Sequence, residues 1–186
     1  RPPRSTLFPY TTLFRSWSCG VTSALMVMDW YSTLGDYNEE TLAQFRSNGL
    51  TPEATSLQQL IEVFEGVGGY DLYSTLDCEN VYEEFTLEFI QETLANDTPI
   101  IVGWNDWGGH WQTIIGYDTM GTETTQDDVI IVADSYDTTD HCQDGYGIYG
   151  AERFYYNFTF YNFFEGEDAV NDMCFLVATP SAEAAE

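Results

Sequence analysis

The 186-residue chain contains no lysine, five arginines and two histidines, against 31 aspartates and glutamates. Three of those arginines (Arg1, Arg4 and Arg15) fall in residues 1–16, RPPRSTLFPYTTLFRS, a segment with no carboxylate. That segment reads as the in-frame translation of a short-read sequencing adapter and is set aside from fold reasoning. From Trp17 onward two arginines face 31 carboxylates, a formal charge of −29. Phosphate-backbone recognition needs Lys and Arg, so no nucleic acid partner is expected. The acidic surface keeps the protein soluble and draws cations or basic peptides, while saying nothing about the fold.

Long hydrophobic runs are missing too. The longest, such as Val129 to Ala133, have strand length, far below the roughly 20 apolar residues that span a bilayer, so no membrane partner is expected for the segment after residue 16. Cysteine is sparse: Cys19, Cys78, Cys142 and Cys174 form no CxxC pair and lack the density of a stapled domain, which argues against structural zinc. With Cys19 as a catalytic thiol, the other three allow at most one disulfide. Any signal peptide or anchor ahead of Trp17 is expected to be lost, and a secreted or cell-surface location is favoured over a cytoplasmic one. One domain is expected over 17–179, with a frayed Ala/Glu tail at 180–186.

Helices fill the first half. Val21, Ala24, Leu25, Met28 and Tyr31 recur at helical spacing between Cys19 and Leu34, and Gly35 supplies a stop. A second helix is expected over 39–47, between Asn38 and Asn48-Gly49. A third follows Ser56, which has capping-box spacing to Gln59, and ends before the Gly66 to Gly69 cluster. A fourth covers 85–95, with Leu87, Ile90 and Leu94 on one face. After Pro99, short β-branched and aromatic runs at 100–104, 110–117, 129–135, 153–160 and 174–179 predict an antiparallel sheet, with polar connections at 116–128 and 137–150. Helices followed by strands define an α+β class.

Cys19 opens the first helix, where the dipole and the unpaired N–H groups favour a thiolate. Its own backbone N–H is placed to serve as an oxyanion donor, and Gly20 leaves room for a substrate backbone. In the second half, Gly108-Gly109-His110-Trp111 opens a strand, and the next strand ends in Ala133-Asp134-Ser135. Neighbouring strands bring His110 and Asp134 to one end of the sheet, where a carboxylate fixes the imidazole tautomer and leaves the other nitrogen for the thiol proton. The expected triad is Cys19 as nucleophile, His110 as general base and Asp134 as orienter, with Asp137 in reserve. Gly20, Gly109 and Trp111 are the expected substrate contacts. Each residue alone also fits a plain structural role; their joint order points to thiol catalysis.

The stretch Trp17-Ser-Cys-Gly-Val-Thr-Ser-Ala-Leu-Met-Val-Met-Asp-Trp-Tyr31 resembles the nucleophile helix of C39-like peptidases in the papain-like superfamily. The blocks Pro99-Ile-Ile-Val-Gly-Trp104, Gly109-His-Trp-Gln-Thr-Ile-Ile-Gly-Tyr-Asp118 and Val129-Ile-Ile-Val-Ala-Asp134 are similar to that family's strands. The resemblance covers nearly all of 17–179. It implies a papain-like cysteine peptidase fold, its N-terminal helical half packed on a C-terminal antiparallel sheet. It also implies peptide or protein hydrolysis through a thioester, with no metal or organic cofactor. A monomer is expected. An amidase or acyl or peptidyl transferase, and a catalytically inactive binding domain, are the rival readings of the same scaffold.

One departure matters. The family usually carries a glutamine shortly before the cysteine whose side chain completes the oxyanion hole, yet residues 1–18 contain no Gln or Asn. Loss of one such donor costs roughly 10²–10³ in turnover, so this chain is expected to be weakly active or inactive. The carboxylate-rich surface predicts a preference for neutral or basic peptides. Asp134, Asp137, Asp140 and Asp144 with His141 and Cys142 lack a calcium-hand register and read as a polar loop rather than a metal site. Trp104, Trp107 and Trp111 bracket His110 as packing or cleft walls, and the Phe154 to Phe164 run reads as a strand.

Overall fold

The computed structural model describes residues 17–136, 144–166 and 169–182. Helix α1 (Cys19–Trp30) is buried on nearly every side from Cys19 to Met28. A helix that is apolar all round belongs inside a core. It stops short of the expected Leu34 because Ser32 takes a left-handed conformation, φ 61°. Helix α2 (Glu39–Ala43) is capped by Asn38, whose Oδ1 accepts the Glu40 and Thr41 N–H groups, and it ends four residues earlier than expected. Helix α3 (Leu57–Val67) begins with the expected capping box of Ser56 and Gln59. It runs through Gly66, where a side chain would collide with the Phe45 ring.

The expected fourth helix at 85–95 starts two residues late and is preceded by a short helix outside the expected range. Phe85 is extended between α4 (Val81–Glu84) and α5 (Leu87–Ala95), and Thr86 caps the second by accepting the Phe89 N–H at 3.1 Å. The segment expected as a strand at 153–160 starts instead as helix α6 (Ala151–Tyr156). Its aromatic residues favour strands in isolation, but Ala151, Phe154 and Phe158 are buried at three- and four-residue spacing while Tyr156 faces solvent.

Among the described residues six strands form one antiparallel sheet: β1 (Tyr70–Ser74), β2 (Ile100–Trp104), β3 (His110–Asp118), β4 (Val129–Ala133), β5 (Tyr146–Gly150) and β6 (Cys174–Pro180). Their spatial order is β1-β6-β2-β3-β4-β5. The two edge strands were not expected from sequence. β6 continues through Pro180, which pairs with Tyr70, so the first residue of the expected tail belongs to the sheet.

Alternation along the strands divides the core. Ile101, Trp111, Cys174, Leu176 and Ala178 pack against α1, α2 and α3 on one face. Ile100, Val102, Trp104, Ile114, Ile130, Val132, Phe175 and Val177 face the other way, toward α5, α6 and Phe85. This mixed architecture is an α+β papain-like fold, with α1 packed across β3.

Candidate active site

Ser18 precedes α1 without a side-chain cap bond, and the first intrahelical bond runs from Thr22 N–H to Ser18 O at 2.8 Å. Helix geometry leaves the N–H groups of that first turn, Cys19 among them, without intrahelical acceptors. No acidic residue lies in the turn, despite the chain's 31 carboxylates, so no neighbouring carboxylate there competes for the positive end of the dipole. Cys19 is 6% exposed.

His110 opens β3 and is 4% exposed; Asp134 follows the last residue of β4 and is fully buried. By the two-residue period of the strand, His110 and Gln112 share a face with Ile114, whereas Trp111 faces α1. Thr113 pairs with Ala133, so Asp134 falls one step further, opposite Gln112 and diagonal to His110. The His110 Nε2 and Asp134 Oδ1 atoms are 2.6 Å apart. The Cys19 thiol lies close enough to the same imidazole to raise its proton affinity. The three residues therefore meet where the two faces of the sheet join.

The sequence reading overlooked the support behind Asp134. Gln112 Nε2 donates to Asp134 Oδ2 at 2.7 Å, and the Tyr136 N–H donates to Asp134 Oδ1 at 2.8 Å. Gln112 Oε1 in turn accepts the Trp104 indole N–H at 2.7 Å, while Tyr149 donates to Asp106 Oδ2 at 2.9 Å beside the Gln112 amide. Carboxylate and amide are thus held before any substrate arrives. A two-residue step from His110 along one strand was the available signal for Gln112.

These contacts set the protonation states. Burial pushes the His110 imidazole down, but its hydrogen bonds to Asp134 and Cys19, with their charges, outweigh that and raise it to about 10. Burial pushes Asp134 up, yet the His110 bond and charge, the Tyr136 N–H and the Gln112 amide hold it below the usual carboxylate range.

Gly20 and Trp111, expected to contact substrate, pack on each other: a Cβ on Gly20 would lie 2.9 Å from Thr55 Cβ and 3.1 Å from Trp111 Cδ1. Gly109 adopts φ 121° with the Phe163 ring against it. Asp137, His141 and Cys142 lie outside the described residues. Cys19, Cys78 and Cys174 are free thiols. No helix among the described residues is long and apolar enough to cross a membrane.

The fold and a family match together define the class, a papain-like protein of the cysteine peptidase type. Residues 7–162 match the Peptidase_C39 like family, and the chain belongs to it. No curated protein and no solved structure matches the chain. The family match begins inside the segment read as adapter-derived, which itself lies outside the described residues.

Proposed function

We propose that the protein hydrolyses peptide bonds with Cys19 as nucleophile, His110 as acid and base, and Asp134 as the group that orients the imidazole. With Nε2 engaged by Asp134, the remaining ring nitrogen takes the thiol proton. The thiolate attacks the scissile carbonyl, and the Cys19 N–H donates to the developing oxyanion. The imidazolium then protonates the leaving amine, and water, deprotonated by His110, hydrolyses the thioester. The observation that carries this reading is a buried imidazole 2.6 Å from Asp134 that also interacts with the Cys19 thiol. An imidazole raised to about 10 holds its proton at neutral pH, the form that protonates the leaving amine.

Residues 1–18 offer no side-chain amide as a second oxyanion donor, so turnover is expected to be low while the thiol–imidazole pair stays intact. Labelling reads that pair independently of the oxyanion hole. Iodoacetamide should modify Cys19 selectively below the roughly 8.5 at which a free thiol ionises, and His110→Ala should abolish the selectivity. A Cys19 that reacts no faster than Cys78 and ignores His110 would favour a binding domain on the same fold. Introducing a glutamine a few residues ahead of Cys19 should raise peptidase turnover by roughly 10²–10³ without altering the labelling. Equal turnover would remove the missing-donor account.

A further inference from the structure

We infer that Arg46 is a positioning residue of this site, a buried guanidinium that fastens both the nucleophile turn and the histidine strand to the loop 47–56; this rests on the roles proposed above for Cys19 and His110. The chain has two arginines beyond residue 16 and no lysine, yet one of them is only 2% exposed. Burying a cation is costly unless its donors are satisfied. Arg46 meets that cost with uncharged acceptors. Nε donates to Gly49 O at 3.1 Å, and Nη2 to Gly49 O at 2.5 Å and Thr51 O at 3.0 Å. Nη1 donates to Glu53 O at 3.1 Å and to Thr55 Oγ1 at 3.0 Å. Among the described residues no carboxylate forms an ion pair with it.

Two routes lead from this guanidinium to the site. Its carbon lies 4.7 Å from the centroid of the Trp17 ring, two residues before Cys19, a stacking geometry that a planar cation makes and an ammonium makes less well. Its acceptor Thr55 fills the space that Gly20 leaves beside Cys19, and the Thr55 carbonyl accepts the Trp111 indole N–H at 2.7 Å. Trp111 is the residue after His110. One side chain therefore ties the start of α1 to the start of β3, the two segments whose spacing sets the thiol–imidazole contact. Charge acts in the same direction. Burial lowers the guanidinium's proton affinity, while the Glu53 carboxylate and an ionised Cys19 oppose that loss, and the attraction between Arg46 and the thiolate is mutual.

The test compares Arg46→Met, Arg46→Lys and Thr55→Val, each assayed well below its own melting temperature. The readout is the rate of iodoacetamide labelling of Cys19 against pH, with the half-buried Cys78, packed toward the other face of the sheet, as internal control. Arg46→Met should slow Cys19 labelling at neutral pH by about tenfold and move its midpoint to higher pH. Arg46→Lys should slow it less and leave the midpoint nearer wild type, because it keeps the charge and loses the fork. Thr55→Val should slow it about two- to fivefold through lost positioning alone. Cys78 should react as in wild type throughout. A purely structural arginine would lower the melting temperatures and leave the Cys19 rate and midpoint of the folded variants unchanged, which overturns the inference. Should both Arg46 variants fail to fold, Thr55→Val decides on the same criterion. A wild-type Cys19 that is slow and indifferent to His110 defeats the functional reading instead; a fast, His110-dependent Cys19 that ignores Arg46 and Thr55 defeats only this inference.

Discussion

The two faces of the sheet are packed by different chemistry. Toward α1, α2 and α3 the core is mainly aliphatic and small, with Val21, Ala24, Leu25, Val27, Met28, Leu42 and Leu60. On the other face Phe85, Phe89, Phe175 and Phe158 form a cluster of rings, with the Phe85 and Phe175 centroids 4.6 Å apart and Phe85 and Phe158 5.1 Å apart. Small residues let α1 lie close on β3, which Gly20 and Trp111 exploit, and so Cys19 arrives on a tightly seated helix. The ring-packed face carries a polar patch at its end, where Gln112 and Asp134 hold His110. Cys19 and His110 come from opposite faces, and they meet where neither packing continues.

Adjacent residues of β6 test this contrast most sharply, since Phe175 and Leu176 are both fully buried and point to opposite faces. Phe175→Ala should cost about 3–5 kcal/mol, because it deletes a ring that touches Tyr73, Phe85 and Phe89. Leu176→Ala should cost less, within the roughly 2–5 kcal/mol range for buried leucine. Urea unfolding of both variants measures the difference. The reverse order would mean that ring contacts add nothing beyond buried area.

A smaller effect is expected where the ring-packed face turns polar. Gln112→Leu keeps side-chain volume but strands the Trp104 indole N–H and removes the Asp134 Oδ2 donor. Unsatisfied buried groups cost about 1–3 kcal/mol each, so stability should fall by about that much and Cys19 labelling should slow as Asp134 loosens. Equal stability with unchanged labelling would show that Asp134 is held by Tyr136 and His110 alone.

Legibility in the sequence follows the same division. The aliphatic face was readable: α1 and α3 show three- and four-residue spacing, and Ser56 with Gln59 signalled its cap. Strands β2, β3, β4 and β6 announced themselves as β-branched runs, and with them the chain order of Cys19, His110 and Asp134. The ring-packed face was not readable in full. Phe and Tyr favour strands, so α6 was hidden inside a Tyr/Phe run whose burial, not its propensity, makes it helical. Edge strands β1 and β5, YDLYS and YGIYG, have polar or glycine positions where one side meets solvent, and no β-branched run marks them. Long-range polar contacts such as Gln112 to Asp134 and Arg46 to Thr55 depend on register and loop path, which composition does not encode. One of only two arginines after residue 16, in a lysine-free chain, was nevertheless a visible rarity.

The last expected effect, spread over several pH units, is the pH dependence of the pair that joins the two faces. His110 is raised in the folded protein from 6.5 to about 10, so its protonated form stabilises the fold. That contribution is complete below pH 6.5 and is lost progressively as pH rises toward 10, where the folded imidazole itself deprotonates. Asp134 behaves in the opposite sense: held below its ordinary 3.8, it contributes above that value and loses its contribution as pH falls beneath it. The pair is therefore most stabilising between about pH 4 and 6.5. One proton limits the slope to about 1.4 kcal/mol per pH unit. Subtracting the stability of His110→Gln from that of wild type at each pH isolates this component from the other carboxylates. The difference should decline steadily from pH 6.5 to 10. A flat difference over that range would mean that the imidazole is neutral in the folded state, and that neither Asp134 nor its other neighbours hold a proton on it.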